Sequence, residues 1–416
     1  MFIDMNSVAT HSPNLAEHLL VRYRNVRARS VALSAPLSAE DQCVQSMPDT
    51  SPTKWHLGHS TWFFETLVLQ AHAGGYQAFD ARLSYLFNSY YESLGPRHPR
   101  PQRGLLSRPP LAQVLAYRRH VDAAMAQFLQ KEAGVDQPEA LAMVELGLNH
   151  EQQHQELLLT DILHLLSCNP LLPAYGPLPE PTPRQDATAL QWLHVNGGLV
   201  QLGAQDDKAS FCFDNETPRH ARLVSPFHIA QRPVSCSDYL AFMQDGGYRN
   251  PLLWLSDGWD QVQSQGWLAP LYWLAPDDVR CPAPHWQVFG LNGPQPLNAT
   301  DAVSQLSFYE AMAYAEWAGA RLPTEFEWEV ALDAPGITQM LGVVWQWTRS
   351  AYEPYPGFNP RNGAVREYNG KFMVGQQVLR GSSFATPAGH SRGSYRNFFP
   401  PASRWQFSGL RLAQDA

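Results

Sequence analysis

Apolar residues recur every three to four positions along four stretches of the first 168 residues: LAEHLLVRYRNVRARSVAL from Leu15, WHLGHSTWFFETLVLQAHA from Trp55, LAQVLAYRRHVDAAMAQFLQ from Leu111 and ALAMVELGLNHEQQHQELLLTDILHLL from Ala140. That period puts one apolar stripe on each helix, and four such helices predict a bundle. The stretch 169–186, NPLLPAYGPLPEPTPRQD, carries six prolines. No helix continues through it, so it is predicted to be a linker. From 187 to 416 the pattern changes to short apolar runs cut by Gly, Pro and Asn, with one helical segment near Ser307 to Ala318. This predicts an irregular mixed domain, and the chain as a whole reads as α+β: a helical domain over 1–168, the linker, and a second domain over 187–416. No repeat of fixed period occurs, which excludes solenoids and propellers.

Composition narrows the function. A chain of 416 residues, 44% hydrophobic and only 16% charged, has the apolar content to build two cores and too little charge for disorder. A net charge of -8 supplies no basic field for phosphate backbones, so nucleic acid is not an expected partner. Cys43, Cys168, Cys212, Cys236 and Cys281 are odd in number and form no CxxC pair, which fits a reducing compartment and no disulfide framework. The opening MFIDMNSVATHSPN has no basic and apolar leader, and no run of about 18 apolar residues occurs, so a cytoplasmic protein without a membrane partner is expected.

The strongest chemical signal is NHEQQHQE, in which His150 and His154 stand one helical turn apart on one face, as two ligands of one metal require. HEQQH also satisfies HExxH, which keeps open a zinc hydrolase with Glu151 as general base. A third ligand is available in WHLGH, where His56 and His59 lie three apart on a helix that can face the first. Three imidazoles suit iron, copper, nickel or zinc and leave positions open for substrate and dioxygen. The proline- and glycine-rich segment 88–110, with four arginines, reads as a long ordered loop near a site. In it Tyr90 and Tyr91 can pack or donate a proton, and Arg97, Arg100 and Arg103 can grip a carboxylate or stay solvated. The aromatic and polar segments ARLPTEFEWEVAL, VVWQWTRSAY and YRNFFPPASRWQFSGLRLA would also suit a carbohydrate-binding module.

Over nearly its whole length the chain resembles the iron-dependent sulfoxide synthases of ergothioneine biosynthesis, the EgtB family. WHLGH at 55–59 and HEQQHQE at 150–156 resemble a DinB-like four-helix bundle. FDNETPRH at 213–220, GARLPTEFEWE at 319–329 and GLRLA at 409–413 resemble the formylglycine-generating-enzyme fold, a C-type-lectin relative. The resemblance implies that His59, His150 and His154 hold Fe(II), with His56 as a helix neighbour. It implies hercynine and dioxygen as substrates, with hercynine contacts on Gln153, Asn397 and Phe398. FNSYY followed by PRHPRPQRG resembles the branch whose active-site tyrosines fall on Tyr90 and Tyr91. The paired copper-binding cysteines of formylglycine-generating enzymes have no counterpart after Cys281.

Three departures bear on the donor. Phe399 stands where an Asp follows the Asn-aromatic pair in family members using gamma-glutamylcysteine. Gln346 stands in the GVVWQW segment where that pattern carries Glu, and Phe384 replaces the Cys of GGSCATP. Together they resemble the selenoneine synthase branch, in which a selenosugar replaces the thiol donor. An ergothioneine-type synthase using cysteine or, ranked behind it, gamma-glutamylcysteine is the alternative within the class. A DinB-like thiol transferase and a noncatalytic lectin-like binding protein are the alternatives outside it.

Overall fold

The computed structural model describes residues 15–132, 137–176, 189–205 and 210–416; residues 1–14 and the linker residues 177–186 lie outside the described residues. The four periodic stretches form α1 (Leu15–Ser34), α2 (Thr53–Phe64), α3 (Leu111–Glu132) and α4 (Pro138–Ser167). No described helix is long and apolar enough to cross a membrane.

Helix α2 departs from the expected single stripe, because all twelve of its residues are buried. It is the central helix, packed against α3, α4 and the short helix Leu83–Phe87. Its polar side chains must therefore find partners inside the protein. Thr61 donates to the Leu57 carbonyl at 2.7 Å, and the Lys54 ammonium donates to the Leu106 carbonyl at 2.7 Å. A π-helical turn, Glu65–Leu69, follows directly and carries a buried carboxylate. Glu65 accepts from Tyr117 Oη (2.6 Å), Tyr76 Oη (2.7 Å) and the Phe79 amide (3.1 Å), so the turn is held by α3 and the chain beyond α2.

Gly147 sets the approach of α4 to α2. A Cβ there would lie 2.6 Å from Phe64 Cε1 and 2.9 Å from Phe63 Cε1, and the Phe63 ring stacks on His150 at 4.7 Å. Gly147→Ala is expected to cost about 1–3 kcal/mol by overpacking, read from urea unfolding. Wild-type stability in this variant would mean that the helices separate freely.

Among the described residues the second half holds twelve short strands: β1 (Trp192–Val195), β2 (Gly198–Leu202), β3 (His220–Val224), β4 (Phe227–Ala230), β5 (Trp273–Leu274), β6 (Gln287–Gly290), β7 (Gly293–Pro296), β8 (Trp345–Ala351), β9 (Gln377–Arg380), β10 (Asn397–Phe399), β11 (Ser408–Leu410) and β12 (Ala413–Asp415). They form sheets of order β1-β4-β12, β10-β9-β8-β11, β2-β3 and β5-β6-β7, antiparallel except for the β8-β11 pair. Besides the expected helix, now α7 (Phe308–Trp317), the structure contains α5 (Cys236–Gln244), α6 (Ser256–Gln265) and α8 (Glu325–Val330). Capping boxes start α5 (Ser235 with Asp238), α7 (Ser307 with Glu310) and α8 (Thr324 with Glu327). Beneath β10, Glu325 takes both Arg396 nitrogens at 2.8 and 2.9 Å, a buried fork that fixes the strand next to Asn397. The halves are tied where Glu156 of α4 accepts from Trp345 Nε1 (2.8 Å), Ser383 Oγ (2.5 Å) and Thr386 Oγ1 (2.7 Å).

Candidate metal centre and substrate cavity

Helices α2 and α4 bring His59, His150 and His154 together, with one ligating atom from each within 4.8 Å of the others. His59 Nε2 and His150 Nε2 are 3.1 Å apart, and the His154 ring lies 4.7 Å from that of His59 and 4.6 Å from that of His150. Two nitrogens at about 2.1 Å from one cation, at a right angle, lie about 3.0 Å apart, so the spacing fits a shared metal. The Phe87 carbonyl lies 2.6 Å from His59 Nδ1, which places the proton there and leaves Nε2 bare. Burial, reinforced by the neighbouring histidines, holds His59 and His154 well below the ordinary imidazole range, and burial brings His150 down to about 3. The imidazoles are therefore neutral, as metal ligation requires. His150 Nδ1 is buried with no hydrogen-bond partner among the described residues.

Glu151 is turned away from this cluster. Its carboxylate accepts from Arg118, from Arg27 Nη1 at 3.0 Å and from Ser30 Oγ at 2.6 Å. Burial alone would raise its pKa, but Arg118, Arg27 and Ser30 outweigh it and bring the group from 4.5 to about 2. A carboxylate saturated by two guanidinium groups has no part in activating water, so the HExxH reading as a zinc hydrolase gives way to a structural ion cluster. His56 stands beside the cluster: its Nδ1 lies 2.9 Å from His154 Nδ1, and its Nε2 lies 3.0 Å from Asp161 Oδ2.

A cavity of about 420 Å³ opens beside the histidines, between the bundle and the second half. Gln153 faces it and spans both halves, accepting from Tyr368 Oη and donating to Tyr395 Oη at 2.6 Å. Asn397 and Phe398 also line it, with Phe398 stacked on Tyr352 at 4.0 Å. Tyr90 lines the cavity, whereas Tyr91 is fully buried behind it, stacked on Tyr90 at 4.7 Å and packed against Trp62 at 5.4 Å. The loop bearing them is held from the other half, where Glu367 accepts from Ser93 N (2.9 Å) and Ser93 Oγ (2.7 Å) and Lys371 donates to the Tyr90 carbonyl.

The three arginines reach the same cavity in different states. Arg97 pairs with Glu92 at 2.8 Å, and Arg100 donates to the Asp49 carbonyl. Arg103 is buried, lies 3.3 Å over the Trp55 ring and, among the described residues, donates to Ser51 Oγ (2.9 Å) and Ser89 Oγ (3.1 Å). Burial first, then Arg100 and Arg97, push it down to about 8.

Sequence reasoning missed Tyr368, Tyr395, Asp161 and Glu156. The Tyr368 ring sits 5.6 Å from that of His150, yet it lies in an irregular segment without any periodic signal. Of the three donor-side departures, only Phe399 lines the cavity. Gln346 is fully buried, accepting from Trp328 Nε1 and Arg411 Nε, each at 2.9 Å. Phe384 lies near the surface with its ring 4.6 Å from that of Phe407.

A helical bundle that clusters three histidines, two of them lining a cavity closed by an irregular strand-rich half, defines a two-domain class with a candidate metal centre. Residues 22–158 match the DinB superfamily, and 177–335 with 333–416 match the sulfatase-modifying factor enzyme 1-like domain. The chain is 32% identical to the hercynine oxygenase of Mycolicibacterium smegmatis, over 89% of this chain and 92% of that protein. It is 31% identical to the hercynine oxygenase of Mycobacterium tuberculosis, over 96% of this chain and 99% of that protein. A formylglycine-generating enzyme of Thermomonospora curvata is 32% identical over 37% of this chain and 52% of its own length. The chain belongs to the hercynine oxygenase family and is an oxidoreductase. The noncatalytic and transferase alternatives fall with that membership.

Proposed function

We propose that the protein is an Fe(II)- and dioxygen-dependent enzyme that joins a chalcogen donor to C2 of the hercynine imidazole. The observation that carries the reading is the set of three histidines, one nitrogen each within 4.8 Å, of which His150 and His154 line a cavity of about 420 Å³. His59, His150 and His154 would hold the iron, which when bound supplies dioxygen activation and one-electron chemistry. The overall step balances as donor–XH plus imidazole C2–H plus O2 giving the coupled X-oxide and one water, where X is selenium or sulfur.

The chain's own residues bind and orient the reactants. Gln153, fixed at both ends by Tyr368 and Tyr395, presents a rigid amide beside the ligands, with Asn397 and Phe398 lining the same cavity. The rings of Phe213, Trp345 and Tyr395 offer faces for the trimethylammonium of hercynine through cation–π attraction. Of the two tyrosines, Tyr90 has access to the cavity and is assigned the proton or hydrogen-atom transfer. Tyr90→Phe is expected to shift product from the coupled adduct toward simple oxidation of the donor at retained oxygen uptake, with Tyr91→Phe closer to wild type. Equal product ratios in wild type and Tyr90→Phe would remove Tyr90 from that role.

The favoured donor is a selenosugar. Phe399 and Trp405, with rings 6.4 Å apart, give the cavity an apolar aromatic patch suited to the C–H face of a sugar, at the position where a carboxylate would receive an amino-acid ammonium. A second reading, cysteine as donor, is favoured by Arg103, which has no carboxylate partner among the described residues and would grip one on the substrate. Anaerobic loading with Fe(II), then oxygen with hercynine and equal amounts of selenosugar, cysteine and gamma-glutamylcysteine, tests both by mass spectrometry. A selenium adduct supports the first, a sulfoxide adduct the second, and no hercynine-dependent product overturns the coupling reading.

A further inference from the structure

We infer that Asp161 and His56 form a hydrogen-bonded relay that fixes the tautomer of His154, making His154 an Nε2 ligand and the most electron-rich of the three. The inference rests on the metal reading above and concerns two residues outside the ligand set. Asp161 Oδ2 already accepts the Ser51 backbone N–H at 2.8 Å, and the same oxygen lies 3.0 Å from His56 Nε2. An oxygen taking an amide proton as a carboxylate has no proton to give, so His56 Nε2 must donate. In the relay His56 carries its one proton on Nε2 and presents the Nδ1 lone pair to His154 Nδ1 at 2.9 Å. The shared proton therefore sits on His154 Nδ1, and His154 Nε2 is left bare for the metal.

The three ligands are thus supported unequally. His59 is held by a neutral carbonyl, Phe87 O at 2.6 Å, and His154 by a chain that ends in a buried carboxylate. His150 Nδ1 has no hydrogen-bond partner among the described residues, and its ring is positioned instead by Phe63 at 4.7 Å and Tyr368 at 5.6 Å. Negative charge delivered through His56 strengthens donation by His154 alone. His56 and Asp161 are positioning residues that tune metal affinity and potential without touching the metal.

The test uses the full chain loaded anaerobically with Fe(II) or Co(II), with affinity read by chelator competition and geometry by the visible bands of the cobalt form. His56→Phe, which removes the acceptor, is expected to weaken affinity roughly 10- to 100-fold and to shift the cobalt bands. His56→Gln, whose amide oxygen can accept the same proton, is expected to stay within a few-fold of wild type. Asp161→Asn keeps an oxygen facing the Ser51 amide, so the tautomer survives while the charge is lost, and the midpoint potential of the bound iron should rise. His56→Phe matching wild type in affinity and bands, or His56→Gln as weak as His56→Phe, would overturn the relay. Should His56→Phe fail to fold, an unchanged potential in Asp161→Asn overturns it. A wild-type protein that takes up neither metal overturns the three-histidine reading together with the relay, whereas normal wild-type loading beside unaffected variants overturns the relay alone.

Discussion

Replacing His154 with alanine is expected to abolish stoichiometric metal binding and hercynine-dependent oxygen uptake while leaving the protein folded. His154 lines the open cavity, so its truncation enlarges a solvent-accessible space and creates no sealed void in the core. The chemical loss is larger. Only His59 and His150 remain, 3.1 Å apart, and two imidazoles on a labile divalent ion compete poorly with water. The drop in affinity should exceed the roughly 10- to 100-fold that loss of an outer partner costs. Metal analysis after anaerobic loading checks it: one iron per chain in the wild type and background in the variant, at matched thermal unfolding of the metal-free forms. One iron per chain retained in His154→Ala would sink the ligand assignment.

What could be read from sequence follows from the range of the signal. The bundle was legible because α1, α3 and α4 repeat their apolar residues over 20 residues or more. The pair His150 and His154 was legible because four-residue spacing on a helix fixes direction. The all-round burial of α2 follows from the packing of three neighbours, which no local pattern encodes. The short helices α5 and α8 did carry a readable mark, Ser235 with Asp238 and Thr324 with Glu327, but a run of six to nine residues gives the apolar period little to act on. Tyr368 and Tyr395 reach Gln153 across 215 and 242 residues of chain, a juxtaposition that only the docking of the two halves creates. Gln346 illustrates the opposite error. Its departure from the family pattern suggested a remodelled donor side, yet its amide serves Trp328 and Arg411 in the core.

Glu151→Gln is expected to destabilise the bundle by about 3–5 kcal/mol, because it leaves two buried guanidinium groups without their shared counter-charge. Arg118 and Arg27 are almost wholly inaccessible, and among the described residues only Arg27 of the two has another carboxylate, Asp122 at 2.6 Å. The amide keeps the volume of Glu151, so the loss reports charge and not a cavity. Urea unfolding at neutral pH reads it, with metal loading measured alongside. A general base of a zinc hydrolase would give the opposite pattern, lost turnover at unchanged stability. The pH dependence supplies an internal check. The folded carboxyl titrates near 2 and the unfolded one near 4.5, so between those values the unfolded chain binds more protons. The stabilisation from Glu151 is therefore fully present above about pH 4.5 and is lost as pH falls toward 2. The stability gap between wild type and Glu151→Gln should accordingly be constant near neutrality and narrow on acidification. A gap that does not narrow would assign the destabilisation to altered packing and remove the ion cluster as its cause.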